Sequence, residues 1–165
     1  MAQGIDQALF RAAMARFPGA VTVVTALTPM GDRRGITATA VCSVSAEPPT
    51  LLACLNRKTG TCATVAETGR FVVNLLAGDG GALALRFAGQ GGQTGEAKFA
   101  TGDWQTDDQG LPVLSDAVAS FSCRVTEMIE AHSHQVFLGR IEALRLGEGA
   151  ALVYEQSRFH RLTPV

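Results

Sequence analysis

The segment GITATAVCSVS, residues 35–45, alternates small apolar side chains with hydroxyls. Ile36, Ala38, Ala40, Cys42 and Val44 fall on one set of positions; Thr37, Thr39, Val41, Ser43 and Ser45 fall on the other. A period of two marks a β-strand, here spanning 36–45. Strands favour β-branched and aromatic residues, and this one has almost no bulk. Such a strip leaves its backbone open to close approach, with hydroxyls beside it. AEPP (46–49) follows and ends the strand, because proline cannot donate to a β-ladder.

Working outward, AVTVVTAL (20–27) reads as a β-branched strand, and TPMGDRRG (28–35) as the hairpin loop joining it to the strip. Before it, Asp6 caps a helix that carries Leu9, Phe10, Ala13, Met14 and Phe17 on one face, with Pro18-Gly19 as the stop. After it, TLLACLN (50–56) and RFVVNLL (70–76) read as strands, with a short helix between them closed by Gly69. GDGGALALRFAG (78–89) reads as a helix that stops at Gly89, and GQGGQTGEAKF (89–99) as a long glycine-rich loop. Segments 119–131, 134–147 and 151–162 read as three more strands. The expected architecture is mainly β: a largely antiparallel sheet of about six or seven strands closed into a barrel, with two or three short helices. The 165 residues are read as one domain, 1–165.

Hydrophobic residues make up 47% and charged residues 18%, enough for a sizeable core. The net charge of −1 provides no basic field for nucleic acid. Cys42, Cys54, Cys62 and Cys123 form no CxxC pair and read as buried free thiols of a reducing compartment. The N-terminus lacks the apolar core of a secretory signal, and no run reaches the roughly 18 apolar residues of a bilayer span. The expectation is a cytoplasmic protein with no membrane partner.

Neither GxGxxG nor GxxxxGK[ST] occurs, so the usual dinucleotide and P-loop cradles are missing; nor is there a GxSxG nucleophile elbow. LNRKTGT (55–61) is more promising. Arg57 and Lys58 end a strand, and Thr59, Gly60 and Thr61 open a helix, which makes either an anion site or a solvated turn. His132 and His134, two apart on a strand, share a face. His160 is the only further histidine, so no metal is expected and a pocket-lining imidazole is the better reading. Tyr154, Gln156, Arg158 and His160 read as one face of a strand, and the solvent face of an edge strand is the simplest reading of them.

Taken in order, FRAAMARFPGAVTVVTA, GITATAVCSVSAEPPTLLACLN, FVVNLL, FAG, KF and YEQSRFH resemble the flavin reductase family, from about Phe10 to His160. The likeness is strongest to reductase components of two-component flavin monooxygenases of the 4-hydroxyphenylacetate 3-monooxygenase type. The resemblance implies a flavin-binding split β-barrel and a homodimer that reduces FMN or FAD with NADH or NADPH and hands reduced flavin to an oxygenase. It implies that Thr37, Ala38, Thr39, Ala40, Val41, Cys42 and Ser43 line the isoalloxazine. Asn56, Arg57, Lys58, Thr59 and Thr61 are implied to hold the ribityl phosphate, and Phe87 with the 89–99 loop to pack on the flavin or its tail. His134 matches the family's Gly-(Asp/Thr)-His histidine, although AHSH stands here; Arg158 and His160 match its C-terminal aromatic-His stretch. These three are implied to position nicotinamide, and hydride transfer itself requires no acid–base residue. A flavin carrier or sensor without turnover is one alternative. A split barrel of the pyridoxamine-phosphate-oxidase or haem-handling kind is another.

Overall fold

The computed structural model describes residues 4–165. The chain begins with α1 (Gln7–Met14), where the Asp6 carboxylate accepts the Leu9 N–H at 3.1 Å. Strands β1 (Gly19–Ala20), β2 (Thr22–Leu27), β3 (Arg33–Ala38), β4 (Val41–Ala46) and β5 (Pro49–Asn56) follow. Helix α2 (Gly60–Thr68) ends on Gly69, whose φ of 67° is the left-handed closure expected of a glycine there. Next come β6 (Arg70–Leu75), α3 (Gly81–Phe87), a 3₁₀ turn over Gly95–Ala100, and the small pair β7 (Trp104–Thr106) and β8 (Pro112–Leu114). The long strands β9 (Ala119–Ala131) and β10 (His134–Leu146) precede β11 (Leu152–Glu155) and β12 (Arg158–Arg161).

Seven strands form one antiparallel sheet in the order β3-β2-β6-β9-β10-β5-β4. Its two edges, β3 and β4, are joined by Thr39 and Ala40 alone. Three Cα steps reach at most about 11 Å, so the edges must meet and the sheet must curl into a barrel. The Cys54 N–H donates to the Ala40 carbonyl at 2.9 Å, tying the joint to β5. GITATAVCSVS is therefore not one strand over 36–45: it turns a corner at 39–40 and closes the barrel. Its alternate small residues do not form one continuous face.

Strand β2 is buried on both sides, which is why TVVT shows no polar alternation. Val24 faces the barrel interior with Ala53, Phe71 and Phe137. Val21 and Val23 face a second cluster under α3, with Leu76, Phe87 and Phe99. Phe87 and Phe99 pack edge to face at 5.0 Å. The smallness of Gly35 has its reason here: a Cβ would sit 2.5 Å from the Phe87 ring. Fully buried Asn74 cross-links the layers. Its amide donates to the Val23 carbonyl at 3.1 Å and the Thr25 hydroxyl at 3.3 Å, and its oxygen accepts from Leu114 N at 2.9 Å and the Ser120 hydroxyl at 3.0 Å.

Several expectations change. The stretch 151–162 is a hairpin, with Gln156 and Ser157 at φ 48° and 62° in its two-residue turn. Tyr154 is registered with Phe159, Glu155 with Arg158 and Val153 with His160. Arg158 and His160 thus lie on the hairpin face opposite Tyr154, and Gln156 is in the turn. His132, at φ 53°, lies in the β9–β10 turn and shares no strand face with His134. The apolar side of α1 is uncovered: Leu9, Phe10, Met14 and Phe17 are all exposed. Cys62 and Cys123 are buried, Cys54 is half-buried, and Cys42 is exposed on β4. Among the described residues no helix is long and apolar enough to cross a membrane.

Candidate active site

Beside β3 lies a cavity of about 500 Å³, walled by β3, the β5–α2 turn, the end of α3 and the Gly95–Ala100 turn. Arg34, Lys58 and Lys98 line it, and no carboxylate does. At the α2 end, Thr59 is the cap: its hydroxyl accepts the Cys62 N–H at 3.2 Å and donates to the Asn56 carbonyl at 2.8 Å. Asn56 shapes the turn by accepting the Lys58 N–H at 2.9 Å. Gly60 and Thr61, the first residues of α2, present the positive end of a helix to the cavity wall. Lys98 is half-buried and donates to the Phe87 carbonyl at 2.9 Å and the Gly35 carbonyl at 3.3 Å. Burial pushes its ammonium down from the usual lysine range. The arrangement suits an anionic oxygen-rich group such as a phosphate.

A smaller, largely apolar cleft of about 220 Å³ lies further along β3, between Thr37, Thr39, Leu85, Tyr154 and Phe159. Ala88 lines both spaces, so β3 carries a cationic end and an apolar end side by side. The Thr37 hydroxyl donates to the Ala84 carbonyl at 2.5 Å, which ties the strip to α3. Ala38 faces the core; Thr39, Ala40, Cys42 and Ser43 are exposed, and Val41 is half-buried. Another cavity, of about 400 Å³, includes Asp79, Asp116 and Arg86. Two carboxylates line it, and the Arg86 guanidinium is already donating to the Lys98 and Ala97 carbonyls, so it suits an anion poorly.

The structure separates some residues that the sequence grouped. The Arg57 guanidinium pairs with Glu130 at 3.3 Å and is not part of the cavity lining, unlike Lys58, Thr59 and Thr61. Phe87 lines the cavity but is fully buried, with its ring held among Phe99 and Trp104. His134 begins β10 opposite Asn56. Arg158 and His160 belong to a different sheet, β1-β11-β12, where His160 Nε2 lies 3.3 Å from the Glu155 carbonyl. Arg34 and Lys98 carry no local signal: one sits in a stretch that reads as a hairpin loop, the other in a glycine-rich segment. Burial raises the thiols of Cys54 and Cys62, and burial with Glu142 nearby pushes Cys123 up to about 12, so none of these is a ready thiolate.

The model of the flavin reductase like domain matches residues 14–163. The chain belongs to the flavin reductase family. It is 43% identical over 157 residues to the 4-hydroxyphenylacetate 3-monooxygenase reductase component of Pseudomonas aeruginosa, covering 94% of this chain and 92% of that protein. It is 42% identical over 160 residues to an FMN reductase (NADH) of Ancylobacter novellus, covering 96% and 87%. Among solved structures, the NADH:FAD oxidoreductase of Streptomyces globisporus C-1027 superposes with a TM-score of 0.89 at 28% identity, covering 99% of both chains.

Proposed function

We propose that the chain is an NAD(P)H:flavin oxidoreductase that reduces FMN or FAD and supplies reduced flavin to a partner flavin-dependent monooxygenase. The observation that carries this reading is the cationic cavity next to the exposed corner of β3 and β4. A flavin nucleotide has the matching shape: a flat ring and an anionic tail. When both are bound, reduced nicotinamide supplies hydride and flavin accepts it. The chain's part is to orient and to stabilise charge.

In this reading Thr37, Ala38, Thr39, Ala40, Val41, Cys42 and Ser43 offer backbone and hydroxyls to the ring. Asn56, Thr59 and Thr61 shape the phosphate end, with Lys58 beside them and Arg57 bracing the turn through Glu130. Phe87 backs the wall. His134, Arg158 and His160 are assigned to nicotinamide. The chain, 1–165, acts as one domain in the cytoplasm and works as a homodimer. The exposed apolar residues of α1 and Val44 on β4 support a second copy of the chain as their cover.

The test is loss of NADH or NADPH absorbance with excess FMN, FAD or riboflavin. Sustained turnover of free flavin supports an enzyme. Stoichiometric binding without turnover would sink the proposal in favour of a carrier.

A further inference from the structure

Resting on the reading of this cavity as a flavin site, we propose that residues 91–96 are a flap over it, latched by Glu96 on Arg33, and that opening of the flap sets the rate at which flavin enters and leaves. Three observations carry this. First, the segment is held by very little. No side chain from Gly91 to Glu96 is buried. Among the described residues, its hydrogen bonds beyond its own turns all run between Glu96 and Arg33: the Arg33 N–H donates to the carboxylate at 2.9 Å, and the guanidinium pairs with it. Second, both ends of the segment are defined. Gly91 and Gly92, at φ 87° and 75°, form a pivot in a conformation that glycine adopts without steric cost. At the other end Phe99 is buried against Phe87 and Trp104, and the Arg86 guanidinium donates to the Ala97 and Lys98 carbonyls at 2.6 and 2.9 Å, which fixes the base. Third, the segment covers something. Thr94 and Gly95 form part of the cavity wall, and Gly95 rests against Arg34, where a Cβ would sit 3.5 Å from Nη1.

The latch itself stands outside the cavity: neither Arg33 nor Glu96 lines it. Breaking the pair therefore takes no contact away from a molecule inside. It lowers the cost of lifting the flap, because a segment with no buried side chain and one tie to the body opens locally at small expense. The open form is then more populated in the free and the flavin-bound protein alike, so entry and exit quicken together and affinity holds. A protein that hands flavin on must release it, and opening of a covering loop is a step that can limit such release.

The experiment measures, by stopped-flow flavin fluorescence without nicotinamide, the rates at which FMN and riboflavin bind to and leave the full-length wild type, Glu96→Gln and Arg33→Gln. Each variant is expected to raise both rates about threefold for both flavins, as for loss of one exposed ion pair, with Kd within about twofold. The steady Kd reports an intact site. The two variants change the net charge in opposite directions, so a through-space effect on the FMN phosphate would move its rates oppositely, and riboflavin carries no phosphate to respond. The double variant should be no faster than either single one, because one latch breaks only once. The flap is overturned if neither variant quickens exchange, if the two variants act in opposite directions, or if FMN responds and riboflavin does not. If the wild type binds flavin but turns none over, the oxidoreductase reading falls, and the exchange rates still decide the role of the flap.

Discussion

His134 and Asn56 are register partners across the antiparallel pair β10–β5. The histidine assigned to nicotinamide and the residue that shapes the α2 turn thus begin and end neighbouring strands. Ser133 Oγ lies 2.9 Å from His134 Nδ1 and limits the ring's rotation. Replacing His134 with Ala is expected to raise KM for NADH about tenfold and to slow flavin reduction at fixed NADH, through lost positioning. Kd for FMN should change by less than about twofold, because Asn56 holds its turn through its own bonds. Stopped-flow reduction alongside FMN titration separates the two, and an unchanged KM would remove His134 from the site.

The corner between β3 and β4 offers a cleaner probe of the ring's seat than Ala38. Ala38 belongs to the barrel core, where a large side chain would disturb packing before it met any ligand. Ala40 is exposed, and its link to Cys54 is through the backbone. Ala40→Trp is expected to weaken FMN binding at least tenfold by covering the strip, with stability within about 0.5 kcal/mol of wild type. Normal FMN binding by this variant would place the ring elsewhere.

Asn74→Ala tests the buried amide that joins β2, β8 and β9. It leaves two donors and two acceptors in a dry core without their partner. A loss of about 3 kcal/mol is expected, as for buried groups left unsatisfied. Urea unfolding should show a lower midpoint with an unchanged slope. An unaffected midpoint would mean that water or relaxation satisfies these groups.

Glu96 connects pH to the turn that carries Lys98. Hydrogen bonds from Arg33 hold its carboxyl below the ordinary carboxylate range. A folded pKa lower than the unfolded one gives stability that is fully present above the unfolded value, about 4.3, and is lost as pH falls through the folded value. Glu96 is about half exposed, so the effect is modest and salt-sensitive. The difference in urea midpoint between wild type and Glu96→Gln should be steady from pH 7 to 5 and shrink as the pH drops into the acid range. A difference that grew on acidification would contradict this sign.

Much of the local structure was legible because its causes are local. Asp6 and Thr59 cap helices through bonds three residues long, and Gly69 closes α2 through its own backbone freedom. The order of the motifs along the chain also pointed to the flavin reductase family. The hairpin at Gln156-Ser157 was hidden because neither residue favours positive φ; only the pairing of β11 with β12 holds them there. The exposure of the apolar face of α1 was not legible for a related reason: periodicity shows that a helix has an apolar side, not what covers it.

By itself, then, the sequence determined the Asp6 cap of α1, the opening of α2 at Thr59 and its close at Gly69, the mainly β class and the family. Only the tertiary structure decided that GITATAVCSVS bends at Thr39-Ala40, because the bend is forced by two sheet edges meeting through two residues. It also decided which cations matter. Arg34, Lys58 and Lys98 are scattered along the chain and converge on one cavity, while Arg57, the neighbour of Lys58, is drawn off by Glu130. Sequence spacing sets torsions and hydrogen bonds within a few residues, but electrostatics depends on distance through space, and that distance exists only once the barrel has closed.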